Sequence, residues 1–201
     1  MLKTNKEFRA ISCEALKGNW TPVVLATLIY CAIVGASSFT FLFSIPISIF
    51  LVAPIGMSFV ILYVKFLRGE KENAISNLFT CFKDYGKFLG TSLLVVVFTF
   101  LWTLLLIIPG IIKSYAYSMT FFIVHDDSAI GSNDAIELSM KMMKGNKMKL
   151  FLLDLSFIGW YLLGLLSLGI GYLWIIPYHY TARAAFYENL KETYTNVEVS
   201  Q

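Results

Sequence analysis

The chain has 201 residues, 57% of them hydrophobic and 14% charged, with a formal net charge of +3 and a mean hydropathy of +0.69. Soluble globular domains carry about 25% charged residues, so this composition excludes one and leaves a single integral-membrane domain over 1–201, with no separate soluble enzyme. Acidic residues are interspersed among the basic ones and no basic block occurs, which argues against a nucleic-acid partner.

Residues 1–17 hold Lys3, Lys6, Arg9 and Lys17, with Phe8, Ile11, Ala15 and Leu16 on one face of an amphipathic helix. Lys17-Gly18-Asn19-Trp20 ends it, because glycine accepts the left-handed conformation that closes a helix. Glu7 and Glu14 ahead of the apolar run speak against a cleavable signal. Gly18 to Val64 then contains no charge at all. A helix needs about 20 residues to cross a ~30 Å hydrocarbon core, so this run predicts two spans, 20–42 and 46–67, joined near Ala36–Pro46.

The pattern returns twice, which reads as an internal repeat. Ile75, Leu78, Phe79 and Phe82 form a second amphipathic segment before Gly86, and the spacing predicts spans over 88–108 and 109–125 with a turn at Ile108–Gly110. Ile136, Met140 and Met143 form the third before Gly145, followed by spans over 150–168 and 171–188 with a turn at Leu166–Gly171. Residues 189–201 read as a polar tail. Pro54, Pro109 and Pro177 sit near the starts of the second, fourth and sixth spans, where a missing N–H costs least. The expected fold is thus all-α: a polytopic transmembrane bundle of about six spans, in three units of amphipathic helix plus hairpin (3–67, 73–125 and 132–188). An odd number of such units matches no inverted-repeat transporter. The amphipathic helices are expected on the inner leaflet, their lysines drawn to anionic lipid.

Lys65, Arg68, Lys71, Lys83 and Lys87, and then Lys141, Lys144, Lys147 and Lys149, occupy the loops between hairpins, while the hairpin turns carry no charge. By the positive-inside rule both termini and these loops are cytoplasmic. Cys13, Cys31 and Cys81 have no CxxC spacing and support neither a disulfide framework nor a zinc site. His125-Asp126-Asp127 point in different directions and read as a span-ending polar loop, so no metal site is expected. Thr27, Cys31 and Gly35 form a small-residue stripe that permits close helix approach. Trp20, Trp102, Trp160, Tyr172 and Trp174 fall near predicted interfaces.

Three charges lie inside apolar stretches: Lys113, Asp154 and Arg183. A lysine near a helix centre costs about 2.5–3.5 kcal/mol on insertion, so Lys113 needs a partner or a cavity. Asp154 and the hydroxyls of Tyr115, Tyr117, Tyr178 and Tyr180 are the candidates, and Arg183 can also join Asp154. His179 reads as an interhelical hydrogen-bonding residue. Lys113, Asp154, Arg183, His179, Tyr115 and Tyr178 are therefore the candidate polar site, either a structural ion pair or a seat for an anionic headgroup or solute. No nucleophile elbow, zincin motif or phosphate loop is present, so no catalytic residue and no cofactor are assigned.

Several motifs act together: Leu106-Ile107-Ile108-Pro109-Gly110-Ile111-Ile112-Lys113-Ser114-Tyr115, Met143-Lys144-Gly145-Asn146, Leu155-Ser156-Phe157-Ile158-Gly159-Trp160, Pro177-Tyr178 and Ala184-Ala185-Phe186-Tyr187. In these the chain resembles the domain-of-unknown-function 975 family of small bacterial integral membrane proteins. More loosely it is similar to the membrane domain that precedes some bacterial glycerophosphodiester phosphodiesterases, whose catalytic domain does not follow here. The resemblance implies a bacterial plasma membrane and brings no activity, substrate or catalytic residue. The expected role is non-enzymatic, binding lipid or amphiphile or joining other membrane proteins in a complex. A small transporter built on the polar site is the alternative.

Overall fold

The structure, a computed structural model, describes residues 2–39, 48–70, 74–105 and 107–199. Helices are the only regular elements among them: α1 (Asn5–Leu16), α2 (Trp20–Phe39), α3 (Ala53–Leu67), α4 (Ala74–Asn77), α5 (Tyr85–Leu105), α6 (Ile107–Tyr117), α7 (Thr120–Asp126), α8 (Ser132–Met142), α9 (Lys147–Leu155), α10 (Ile158–Leu166) and α11 (Tyr172–Val199). A π-type turn over Ser48–Val52 leads into α3, and a 3₁₀ turn over Thr80–Phe82 follows α4. Thr4 caps α1 through a reciprocal box with Glu7, whose side chain accepts from the Thr4 N–H at 2.6 Å.

Four helical stretches are long and apolar enough to cross a membrane: Trp20–Ser37, Phe50–Leu67, Tyr85–Leu104 and Lys147–Leu166. The expected spans 109–125 and 171–188 are not among them. The first is broken at Ser118–Met119 into α6 and α7. The second lies in α11, which carries Arg183 and Glu188 and continues as helix through the expected polar tail. Pro177 falls inside that helix rather than in its first turn. The first hairpin's turn lies, from residue 40 to 47, outside the described residues.

Contacts along the second hairpin fix its register. A Cβ at Gly110 would lie 2.7 Å from Thr103 Cα, so the turn closes only on glycine. Lys113 sits over Trp102, Tyr117 stacks obliquely near Phe98, and Lys87 donates to the carbonyls of Asp127 and Ser128. Helices α6 and α7 therefore retrace the whole length of α5 despite the break between them. In the third hairpin a Cβ at Gly171 would stand 3.0 Å from Gly164 Cα, with Leu168 and Gly169 at positive φ in the turn. We call α3, α6–α7 and α11 the return limbs.

The three amphipathic segments do not lie across the ends of the bundle. Each runs antiparallel beside a return limb that belongs to another hairpin. The α4 segment follows α3, with Lys65 donating to Asn77 at 2.9 Å and Cys81 N–H donating to Ser58 at 2.9 Å. Helix α8 follows the second hairpin, from Ser132 beside Thr91 of α5 to Ser139 at the α6–α7 break. Helix α1 follows α11, with Lys3 N–H on Asn189 at 2.9 Å and Phe8 against Phe186 at 5.4 Å. The docking is cyclic: second segment on first hairpin, third on second, first on third.

Their buried faces only partly match the pattern in the sequence. Phe8, Ser12 and Leu16 are buried on α1, and Ala135, Ile136, Ser139 and Met142 on α8, with Met143 just after it. In the second segment Leu78 is buried, but Ile75, Phe79 and Phe82 are exposed because the helix stops at Asn77 and the chain rewinds. The stripe Thr27, Cys31, Gly35 is not a packing face. Thr27 is buried against Tyr63, whereas Cys31 and Gly35 are exposed.

Candidate functional site

The return limbs converge at one end in an ion network. Arg68 follows α3, Asp126 ends α7 and Glu188 lies in α11. Arg68 Nη1 is 2.7 Å from Asp126 Oδ1, and its Nε donates to Glu188 Oε1 at 2.8 Å. Tyr187 donates to Asp126 Oδ2 at 2.8 Å, and Lys191 reaches the same oxygen. Burial alone would push the Asp126 carboxyl up, but the hydrogen bonds from Arg68, Lys191 and Tyr187 outweigh it and hold it at about 2. Arg68, hydrogen-bonded to Asp126, is raised further above its already high ordinary value.

Behind this network the α6–α7 break opens space. Helix ends leave orphan backbone groups, and here a side chain from another element satisfies them. Ser139 of α8 donates to the Ala116 carbonyl at 2.7 Å and accepts from Met119 N–H at 3.3 Å. A cavity of about 320 Å³ lies against the break. All three return limbs line it: Val60 of α3, Ser114, Tyr115, Ser118 and Phe122 around the break, and Tyr180 and Arg183 of α11, with Thr99 of α5. At 1.5 Å per residue, the ion network lies roughly 6–12 Å further along each limb.

Arg183 is the charged residue of the cavity wall. Its Nη2 donates to Asp154 Oδ2 at 3.2 Å, while its Nε is buried with no hydrogen-bond partner among the described residues. Asp154 also accepts from Tyr115 Oη at 3.0 Å and lies 2.8 Å from His179 Nε2, and His179 Nδ1 lies 2.8 Å from Tyr161 Oη. Asp154 stands just before the α9–α10 break at Ser156–Phe157 and is bonded to Tyr115, just ahead of the α6–α7 break, and to His179 and Arg183 of α11.

The sequence-derived site is thus partly assembled. Asp154, Arg183, His179 and Tyr115 come together. Lys113 does not join them: its ammonium lies 4.6 Å from the Trp102 ring centroid and 3.9 Å from Met140 Sδ. The charge is held by a ring face, a thioether and partial exposure in place of a carboxylate. Tyr178 also stands apart, packed on Phe157 and Trp160. Tyr161 and Ser139 belong to the site without having been singled out, and Tyr180, expected only as a partner for Lys113, lines the cavity with Arg183 instead. Ser139 had a signal, as a hydroxyl on the apolar stripe between Ile136 and Met143. Among the described residues no group of His, Cys, Asp or Glu is arranged to hold a metal ion.

A family model described as a protein of unknown function, DUF975, matches residues 1–112 and 103–194. The chain belongs to this DUF975 family. No curated protein and no solved structure matches it. The motif around Pro109–Tyr115 in this DUF975 protein now has a structural content: the glycine that closes the second hairpin, the lysine on Trp102, and the tyrosine that reaches Asp154.

Proposed function

We propose that this DUF975 protein is a non-enzymatic, multi-pass protein of a bacterial plasma membrane that binds an anionic amphiphile in the cavity beside Arg183. The observation that carries the reading is the buried Arg183 Nε without a partner on the wall of a 320 Å³ cavity. An unpaired buried donor on a charged group costs about 1–3 kcal/mol or more. A phosphate or carboxylate oxygen in the cavity relieves that cost, and the hydroxyls of Ser114 and Tyr180 offer further contacts. A catalytic role is not favoured, since three donors already engage the Asp154 carboxylate.

Both termini are placed in the cytoplasm with the ion network, which the basic loops support. Three units and six crossings remain our reading, with α6–α7 and α11 as the fourth and sixth. The cyclic docking of the amphipathic segments supports the repeat.

The test is thermal unfolding of the detergent-purified protein with dodecyl phosphate against dodecanol. The phosphate raises Tm in the wild type and not in Arg183→Gln, and the alcohol does neither. Equal stabilisation by both compounds would overturn the proposal. A second reading, a small transporter, draws on the hydrogen-bonded Tyr161–His179–Asp154 chain that touches the same guanidinium. Uptake of dodecyl phosphate into proteoliposomes driven by a pH gradient would favour it.

A further inference from the structure

A second cavity lies on the opposite side of α11, away from the Arg183 wall. It measures about 240 Å³ and is lined by Cys13, Trp20, Trp160, Trp174, Ile175 and Tyr178. The chain has four tryptophans, and three of them are here. Trp160 and Trp174 are half exposed, at 44% and 48%, so the indoles form an open groove rather than a core. The polar atoms of this lining are one thiol, one phenol and the indole N–H groups, and the rest is hydrocarbon.

The groove has a charged edge. Arg9, Cys13 and Lys17 follow one another at i, i+4 and i+8 along α1 and its cap, which puts two cations on the groove side of the helix. Arg9 lies within electrostatic reach of the Tyr178 hydroxyl. Neither Arg9 nor Lys17 forms an ion pair among the described residues. Glu7 is committed to the Thr4 cap and so does not neutralise them.

From this combination we infer that the groove is a specific site for an anionic phospholipid, with an acyl chain along Trp160, Trp174 and Ile175 and the phosphate between Arg9 and Lys17. The apolar lining selects a hydrocarbon chain over a soluble ligand, and the two cations select an anionic headgroup over a zwitterionic one. An aromatic cage for a quaternary ammonium is disfavoured by the same two cations. The site is separate from the Arg183 cavity and does not rest on it.

The indoles report directly on the occupant. Trp102 sits by Lys113 and is removed first, as Trp102→Phe, leaving only the groove tryptophans to emit. This protein is reconstituted with small mole fractions of brominated phosphatidylglycerol or brominated phosphatidylcholine in an unbrominated phosphatidylcholine bilayer. Saturable quenching by the glycerol lipid is expected at a several-fold lower mole fraction than by the choline lipid. Arg9→Gln with Lys17→Gln abolishes that difference, and Arg183→Gln leaves it in place. Folding of each variant is checked by its helical circular dichroism and Tm. Equal quenching by the two lipids reduces the groove to ordinary lipid contact and overturns the inference. So does a preference that survives loss of both cations, whereas a preference lost only with Arg183→Gln would move the headgroup site to the other cavity.

Discussion

Double substitutions separate Arg183 from Lys113 as the basic partner of Asp154. Asp154→Leu removes an acceptor of three hydrogen bonds, at 3.0 Å from Tyr115, 2.8 Å from His179 and 3.2 Å from Arg183. Removing one partner of a fully buried pair costs about 3–5 kcal/mol. The side chains of Asp154 and Arg183 retain 18% and 28% exposure, so the expected loss is smaller, about 2–3 kcal/mol. Arg183→Met alone costs less, because Tyr115 and His179 still hold the carboxylate. The double change Asp154→Leu/Arg183→Met leaves no unpaired charge and recovers a coupling of about 1–2 kcal/mol. Lys113→Met combined with Asp154→Leu is additive within about 0.5 kcal/mol, since Lys113 rests on Trp102 and Met140. Equilibrium unfolding in mixed micelles, followed by circular dichroism, measures all five variants. A coupling between Lys113 and Asp154 as large as that with Arg183 would refute the assignment.

Ser139→Ala leaves the Ala116 carbonyl and the Met119 N–H unsatisfied in a buried site and lowers stability by about 1–3 kcal/mol, seen as lost hydrogen-exchange protection around residues 116–123. Gly110→Ala drives a methyl onto Thr103 Cα and costs about 1–3 kcal/mol in unfolding assays, whereas Gly86→Ala, with open space and helical φ, is neutral or slightly stabilising. Asp126 has its pKa depressed from 3.8 to about 2, so its contribution is present above about pH 4 and lost as pH falls through about 2. That window holds about 1–2 kcal/mol after allowance for solvent screening, and Asp126→Asn flattens the acid limb of a Tm-against-pH curve.

The parts of the fold that were legible in the sequence are those set by long-range composition. Runs such as Gly18–Val64 and Phe88–Ile112 announce hairpins because hydrocarbon tolerates helices and not charges. The glycine stops at Gly18 and Gly145 are real, each with positive φ, whereas Gly86, expected as the stop of the second segment, lies inside α5 with helical backbone. What periodicity cannot show is which surface an amphipathic face covers. Phe8 and Ile136 look alike as candidates for an inner leaflet, yet each packs on a return limb from another hairpin. The break at Ser118–Met119 is equally hidden, because it is stabilised by Ser139, twenty residues away, and no local propensity marks it. Pairing Lys113 with Asp154 fails for a related reason: depth along a helix is readable from sequence, but azimuth around the bundle is not.

The return limbs meet at Arg68, Asp126 and Glu188, and the positions shortly before that meeting point differ in their chemistry. Arg68 bonds both Asp126 and Glu188, and five positions before these three residues stand Tyr63, Phe121 and Arg183. Tyr63 is fully buried, bonded to Thr27 at 3.2 Å and stacked on Tyr180. Phe121 packs by the first hairpin's core around Ile55 and Met57. Only the third limb places a charge there. Two aromatic positions close the interior by packing, and the third replaces packing with a guanidinium that must find a counter-charge on α9 and still leaves Nε unsatisfied. Burying such a group gives little stability over a hydrophobic residue of similar size. A third aromatic at position 183 would satisfy packing without Asp154, His179 or the hydroxyl network around them. Arg183→Tyr combined with Asp154→Leu therefore folds at least as stably as Asp154→Leu alone and no longer gains Tm with dodecyl phosphate. Retained phosphate response in that variant would detach the cavity from the charge and leave Arg183 a purely structural residue.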